Sequence, residues 1–373
     1  MISGNTCYFC ISPFQLYPII SLALSRKERA DLYIDPQFKD ACKISDQIQK
    51  TGIFENIVII DREQIFKEFF SKRKYSNYRI QVARNYLIID KIVAKILKKD
   101  IVYSNIYVSS NSILPRLVIL YYIKKGYNIN VNYFEDGIGS YIKDFAYNIN
   151  KGDKFVRKIL FGEKALKTDY DRYLFAPEVY KRLNPGNNVQ LYKIEVDWHN
   201  KTWKEMFNYI FEYKDVYNIK EKVIILDEPF NNSFCSNEKY SIEEIYNLFN
   251  RSFGIDNTII KKHPRNTRPD LTGFHYYENY QVPFETLCMN KEMQDIVLVS
   301  IGSTATVTPK LLLEEEPYVI MLYKILGGEM ISKDLDQFFL YIKNYYSDSE
   351  RFLIPENFEE LEESIHIIKN KIK

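Results

Sequence analysis

The chain has little net charge, few cysteines, no long apolar run and no internal repeat, and each absence excludes a class of protein. Lysine and arginine number 51 against 49 aspartates and glutamates, a balance of +2. That is too even for a nucleic-acid footprint over the whole surface, so an anionic ligand must be held locally. The five cysteines, Cys7, Cys10, Cys42, Cys235 and Cys288, are odd in number and scattered. This argues against a disulfide framework and for a reducing compartment. Cys7 and Cys10 form a CxxC, but with no second pair, and within an apolar strand-like run, they read as buried thiols rather than metal or redox groups. Met1 to Ser25 carries no charged side chain, yet it has no basic leader and Pro13, Gln15 and Pro18 interrupt it. Neither a signal peptide nor a membrane span is expected there, and Arg116 breaks the other apolar run, Ile113 to Ile123. The expectation is a cytoplasmic protein, with peripheral contact at the inner face of a membrane compatible with it. No GxxxxGK[ST] loop occurs, which excludes a P-loop nucleoside triphosphatase.

What is present fits a folded chain of two domains, or one large domain with additions, given 373 residues at roughly 100 to 200 per domain. Hydrophobic residues make up 46% and charged residues 27%, which removes disordered and low-complexity classes. The 31 tyrosines and 24 phenylalanines read as core filling. Short buried runs at Cys7 to Ile11, Ala30 to Ile34, Ile57 to Ile60, Ile106 to Val108 and Ile129 to Phe134 alternate with helical periodicity, notably at Tyr78 to Lys99 and Ile113 to Lys125. The pattern loosens from Asp144 to Lys222, where Trp203 to Tyr217 reads as a helix. A second alternation follows, with strands at Val223 to Leu226, Thr258 to Lys261, Ile296 to Ser300 and Tyr318 to Leu322. Helices at Ser241 to Phe253, Phe284 to Asn290 and Thr304 to Leu313 lie between them. The expected architecture is α/β, two Rossmann-like halves joined by a hinge. The domains are placed at 1–220 and 221–350, with a closing helix over 351–373 whose acidic first turns and lysine-rich end suit its dipole.

Ligands of open parallel sheets bind beyond the carboxyl ends of the strands, and four clusters stand at such ends. Glu135-Asp136-Gly137-Ile138-Gly139-Ser140 offers two carboxylates, one of which is a base if desolvated, and is otherwise an acidic turn. Lys261-Lys262-His263-Pro264-Arg265 places a histidine among three cations, where an anion is neutralised, or is a solvated basic loop. Ser300-Ile301-Gly302-Ser303-Thr304 is either a phosphate cradle or a helix cap. Asp227-Glu228-Pro229-Phe230 follows the first strand of the second half and is either functional or a strand-terminating turn. Asp169-Tyr170-Asp171 has a DxD form outside any strand-loop context, and Lys72-Arg73-Lys74 reads as a solvated loop.

In their order along the chain these clusters resemble the motif set of bacterial sialyltransferases, most of all glycosyltransferase family 52, the lipooligosaccharide and capsule sialyltransferases. The resemblance rests on Ser12-Pro13-Phe14-Gln15, Phe134-Glu135-Asp136-Gly137-Ile138-Gly139, Lys262-His263-Pro264-Arg265, Pro283-Phe284-Glu285 and Ser303-Thr304, and spans nearly the whole chain. It implies a GT-B fold with two Rossmann-like domains facing a central cleft, CMP-sialic acid as donor bound mainly by the second, and no metal requirement. On that footing Asp136 is the preferred base, Asp227 the second candidate, and His263 the group at the leaving phosphate. Gly302, Ser303, Thr304 and Pro264 form the donor side, and Glu285 meets the ribose. Ser12, Gln15, Glu135 and Gly137 lie on the acceptor side. The expected activity is inverting transfer of sialic acid to a galactose-type end of a surface glycan. Transfer of another nucleotide sugar, such as a glucose donor, and a non-catalytic role in polysaccharide assembly are the alternatives. The expected partners are the donor and a glycan acceptor, without nucleic acid; a homodimer is compatible with this reading.

Overall fold

The structure, a computed structural model, describes residues 6–70, 78–97, 101–109, 112–142, 151–167, 170–196, 198, 200–228, 240–279, 282–326 and 332–372. Lys72-Arg73-Lys74, Asp169, Pro229, Phe230 and Cys235 lie outside these residues. The chain forms two compact units, Met1–Val196 and Asp197–Lys373. The boundary expected at residue 220 falls inside the second unit, beyond the helix Lys201–Ile210. The terminal helix Phe358–Lys371 also belongs to that unit.

In the first unit seven strands build one parallel sheet: β1 (Thr6–Cys10), β2 (Ala30–Ile34), β3 (Asn56–Ile59), β4 (Asn105–Val108), β5 (Asn130–Phe134), β6 (Asp171–Leu174) and β7 (Leu191–Lys193). Their order is β3-β2-β1-β4-β5-β6-β7. Every residue of β1 is buried, as a central parallel strand covered on both faces requires. One face packs Cys7 and Phe9 with Ile92, Ile96, Ile106, Leu117 and Tyr133. The strand order reverses between β1 and β4, so the carboxyl ends of this pair flank a topological switch point, the usual place for a ligand in such sheets.

Strands β6 and β7 come from the stretch expected to be loosely structured. A buried arginine hides β6 in the sequence: the Arg172 guanidinium sits over the rings of Tyr133, at 5.5 Å, and Tyr180, at 4.7 Å. The expected helix over Tyr78 to Lys99 is two helices, Tyr78–Leu87 and Ile89–Ile96, broken at Ile88.

The second unit repeats the plan with β8 (Val223–Asp227), β9 (Thr258–Lys262), β10 (His275–Tyr276), β11 (Val297–Ser300), β12 (Tyr318–Met321) and β13 (Phe352–Leu353). All pairings are parallel, in the order β10-β9-β8-β11-β12-β13, and the reversal falls between β8 and β11. The helix Ile242–Phe253 opens with a capping box, Ser241 accepting from the Glu244 N–H and Glu244 accepting from the Ser241 N–H. Lys201–Ile210 stops short of its expected end at Tyr217, because Glu212 takes a left-handed conformation with φ 50°. No helix among the described residues is long and apolar enough to cross a membrane.

Candidate functional site

In the first unit the loop after β1 and the loop after β5 come together. The Ile11 N–H donates to Gln15 Oε1 at 2.7 Å, which turns the chain after β1 into the helix Leu16–Arg26 and buries Gln15 completely. The Gln15 amide favours the ionised form of Asp136, although Nε2 makes no hydrogen bond of ordinary geometry. The Ser12 hydroxyl is likewise buried, with no hydrogen-bond partner among the described residues. Cys10, the last residue of β1, feels the charges of both Asp136 and Asp35. Cys7 and Cys10 are both fully buried, and three positions apart in a strand they point to opposite faces.

The two acidic residues after β5 divide their tasks. Glu135 is buried, accepting from the Tyr141 hydroxyl and from the Phe175 N–H at 2.8 Å. It ties the end of β5 to the end of β6, and burial pushes its carboxyl up to about 8. Asp136 is half-buried, its N–H donating to Ser140 Oγ at 2.7 Å. Gly137 makes this turn with φ 73°, a left-handed conformation that glycine adopts without a Cβ clash. Burial raises the Asp136 carboxyl above its ordinary range, with Gln15 opposing. The fold therefore presents a desolvated carboxyl, backed by an amide, at the carboxyl ends of β1 and β5.

In the second unit the strand-end loops of β8, β9 and β11 meet. The His263 N–H donates to Asp227 O at 2.8 Å, and the Asn266 N–H to His263 O at 2.8 Å, a turn with Pro264 at its second position. His263 Nδ1 accepts from the Arg265 N–H at 3.1 Å, which leaves the neutral ring its proton on Nε2. Burial, then the charges of Arg265 and Lys261, lower the His263 pKa below 6.5. Asp227 accepts from Tyr246 at 3.1 Å, from Asn266 at 2.6 Å and from the Arg268 guanidinium with which it pairs. Its carboxylate anchors the 263–268 loop and is fully occupied in doing so. Of the neighbouring cations, Lys262 pairs with Asp270 at 2.9 Å, whereas Arg265 is exposed.

Glu228, one residue beyond Asp227, lies in the expected strand-end cluster but had no role of its own assigned there. Its carboxyl accepts from the Gly302 N–H at 2.8 Å and from Ser300 Oγ at 3.2 Å, bridging the β8 and β11 ends at the switch point. Burial pushes it up to about 7 against those donors. The signal for it was a second carboxylate directly after a wholly buried strand. Ser303 acts as a cap, accepting from the Ala305 N–H at 3.2 Å, and Thr304 is exposed beside it.

Glu285 enters through Lys261, two residues before His263. It is buried in the helix Phe284–Met289, its pKa raised by burial and opposed by the charge of Lys261. Lys261 is itself buried, and burial lowers it to about 8. The pair is internal to the fold. The structure thus groups Ser12, Gln15, Glu135, Asp136 and Gly137 in the first unit, and Asp227, His263, Pro264, Gly302, Ser303 and Thr304 in the second, where buried Glu285 reaches the group through the charge of Lys261, which also acts on His263.

No family model and no curated protein matches the sequence. Solved structures do match. The glycotransferase of kitacinnamycin superposes with a TM-score of 0.50 at 9% identity, over 99% of this chain and 91% of that one. LpCGTa in complex with UDP gives a TM-score of 0.51 at 10% identity, over 98% and 90%. These neighbours are GT-B glycosyltransferases, and the likeness is one of fold. The chain has the GT-B type of architecture, two Rossmann-like domains each built on a parallel sheet.

Proposed function

We propose that the chain is an inverting sialyltransferase that moves sialic acid from CMP-sialic acid to a galactose-type end of a surface glycan. The observation that carries this reading is Asp136, a half-buried carboxyl of raised pKa beside a fully buried glutamine at strand ends of the first unit. Such a group accepts a proton more readily than an exposed aspartate. In the proposed reaction Asp136 takes the proton of an acceptor hydroxyl as its oxygen bonds to the anomeric carbon. The bond from that carbon to the phosphate oxygen breaks, and CMP departs. His263 Nε2–H is assigned to the departing phosphate, where a fixed donor acts as the negative charge develops. Asp227 is the weaker base candidate, because Arg268, Asn266 and Tyr246 already occupy its carboxylate. The roles proposed for Gly302, Ser303 and Thr304 are to line the donor phosphate. None of these roles calls for a metal.

The test is incubation with CMP-sialic acid and a galactose-terminated acceptor, following free CMP and sialylated product. Asp136→Asn should lower turnover by about 100-fold or more, and His263→Ala by about 100-fold, with the fold unchanged by circular dichroism. Because Asp136 must be ionised to act, the wild-type rate should rise with pH through its elevated pKa. Asp136→Asn should lose that rise. Full turnover by Asp136→Asn with loss in Asp227→Asn transfers the base to Asp227. LpCGTa was solved with UDP, and turnover of a UDP-sugar but not of CMP-sialic acid would replace the donor. No turnover and no binding of either nucleotide would favour an assembly role.

A further inference from the structure

The helix Lys151–Phe161 has an outer face of unusual composition. Its inner face is conventional: Val156, Leu160 and Phe161 pack on the core, and buried Arg157 pairs with Asp153 at 2.7 Å. Turned away from the core are Phe155 and Ile159, one helical turn apart and 67% and 66% exposed. Leu87, 66% exposed, closes the neighbouring helix Tyr78–Leu87, whose Tyr86 hydroxyl donates to Asp153 Oδ1 at 2.6 Å. Exposed Lys151, Lys154 and Lys158 lie on the same helix as the apolar pair, and exposed Lys164 and Lys167 follow it in the chain. The acidic groups nearby are engaged, Asp153 by Arg157 and Glu163 by Lys158 at 2.5 Å. Among the described residues no carboxylate pairs with Lys151, Lys154 or Lys164.

An aromatic and a branched aliphatic side chain held in water among exposed lysines of the same helix match a surface with apolar depth and negative charge at its rim. That is the chemistry of an anionic bilayer, into which such side chains insert while lysine stems reach the headgroups. A nucleic-acid surface has the charge but no apolar layer for Phe155 and Ile159. We propose that the outer face of Lys151–Phe161 docks the chain on anionic lipid headgroups, with Phe155 and Ile159 inserted and Lys151 and Lys154 paired to phosphates, Lys158 exchanging Glu163 for a phosphate on binding. The inference goes beyond the transferase reading and stands whichever donor is used.

The experiment is flotation of the full chain with phosphatidylglycerol-containing vesicles and with pure phosphatidylcholine vesicles. Wild type should float with the anionic vesicles, only weakly with the neutral ones, and should be released as salt is raised. Phe155→Gln with Ile159→Gln should reduce the bound fraction about tenfold. Lys151→Gln with Lys154→Gln and Lys158→Gln should abolish the preference for anionic lipid. All these side chains are exposed, so melting temperatures should match wild type. Equal flotation of wild type and the apolar double variant overturns the proposal, as does absence of wild-type binding to anionic vesicles. A wild-type dimer that the double variant converts to monomer, with no vesicle binding, would assign the face to a second copy instead.

Discussion

Glu135 and Glu228 are carboxyls held away from water, and the fold keeps them protonated at pH values where the unfolded chain ionises them. For Glu228 the folded pKa is about 7 against an ordinary 4.5, and for Glu135 about 8. Between those limits the native state binds a proton that the unfolded chain has released, so stability must fall as pH rises. The effect is complete above the folded pKa and absent below the unfolded one. For Glu228 it is on the order of 3 kcal/mol, at 1.4 kcal/mol per pH unit. Glu228→Gln keeps an oxygen for the Gly302 N–H and removes the titration. Urea denaturation at several pH values from about 5 to about 8 should therefore show a shallower decline in the variant than in wild type.

The turns that carry these side chains are as demanding as the side chains themselves. Gly137 has φ 73°, directly after Asp136. Gly137→Ala should cost roughly 1 to 2 kcal/mol, read as a lower denaturation midpoint, because a Cβ disfavours that conformation. Activity should fall further than stability accounts for, since the turn also aims Asp136. The same elements show what the one-dimensional chain discloses. Strands β1, β2, β8, β11 and β12 are buried along their whole length and stand out as apolar runs. Strand β6 does not, because Arg172 is buried on aromatic rings that come from other elements. Strands β10 and β13 have two residues each, too few for any periodicity. At the candidate site, the turn around Pro264 was legible from strand-end logic, and the residues of the β1 loop entered only through the family resemblance. The partners of Asp227, Glu228 and Glu285 were not legible. They depend on which carboxylate meets Arg268, the Gly302 amide or buried Lys261, and those partners are distant in sequence.

Each unit has its own set of strand pairings, and among the described residues no pairing crosses from the first sheet to the second. Fragments 1–196 and 197–373 should therefore each unfold cooperatively by circular dichroism when expressed alone. A fragment without a sigmoidal transition would contradict this. Within each sheet all pairings are parallel, so no strand pair is joined by a tight hairpin. Thr6 pairs on one side with Ala30 and on the other with Asn105. Val223 pairs with Thr258 and with Val297 in the same way. As the chain leaves the ribosome, β1 meets its first neighbour early, while its other edge stays bare until β4 emerges. That open edge, a row of unpaired N–H and C=O groups on a strand whose side chains are all buried in the native sheet, is a template for pairing with another nascent chain. Slow translation or chaperone cover over this interval should thus decide how much of the protein reaches its native state.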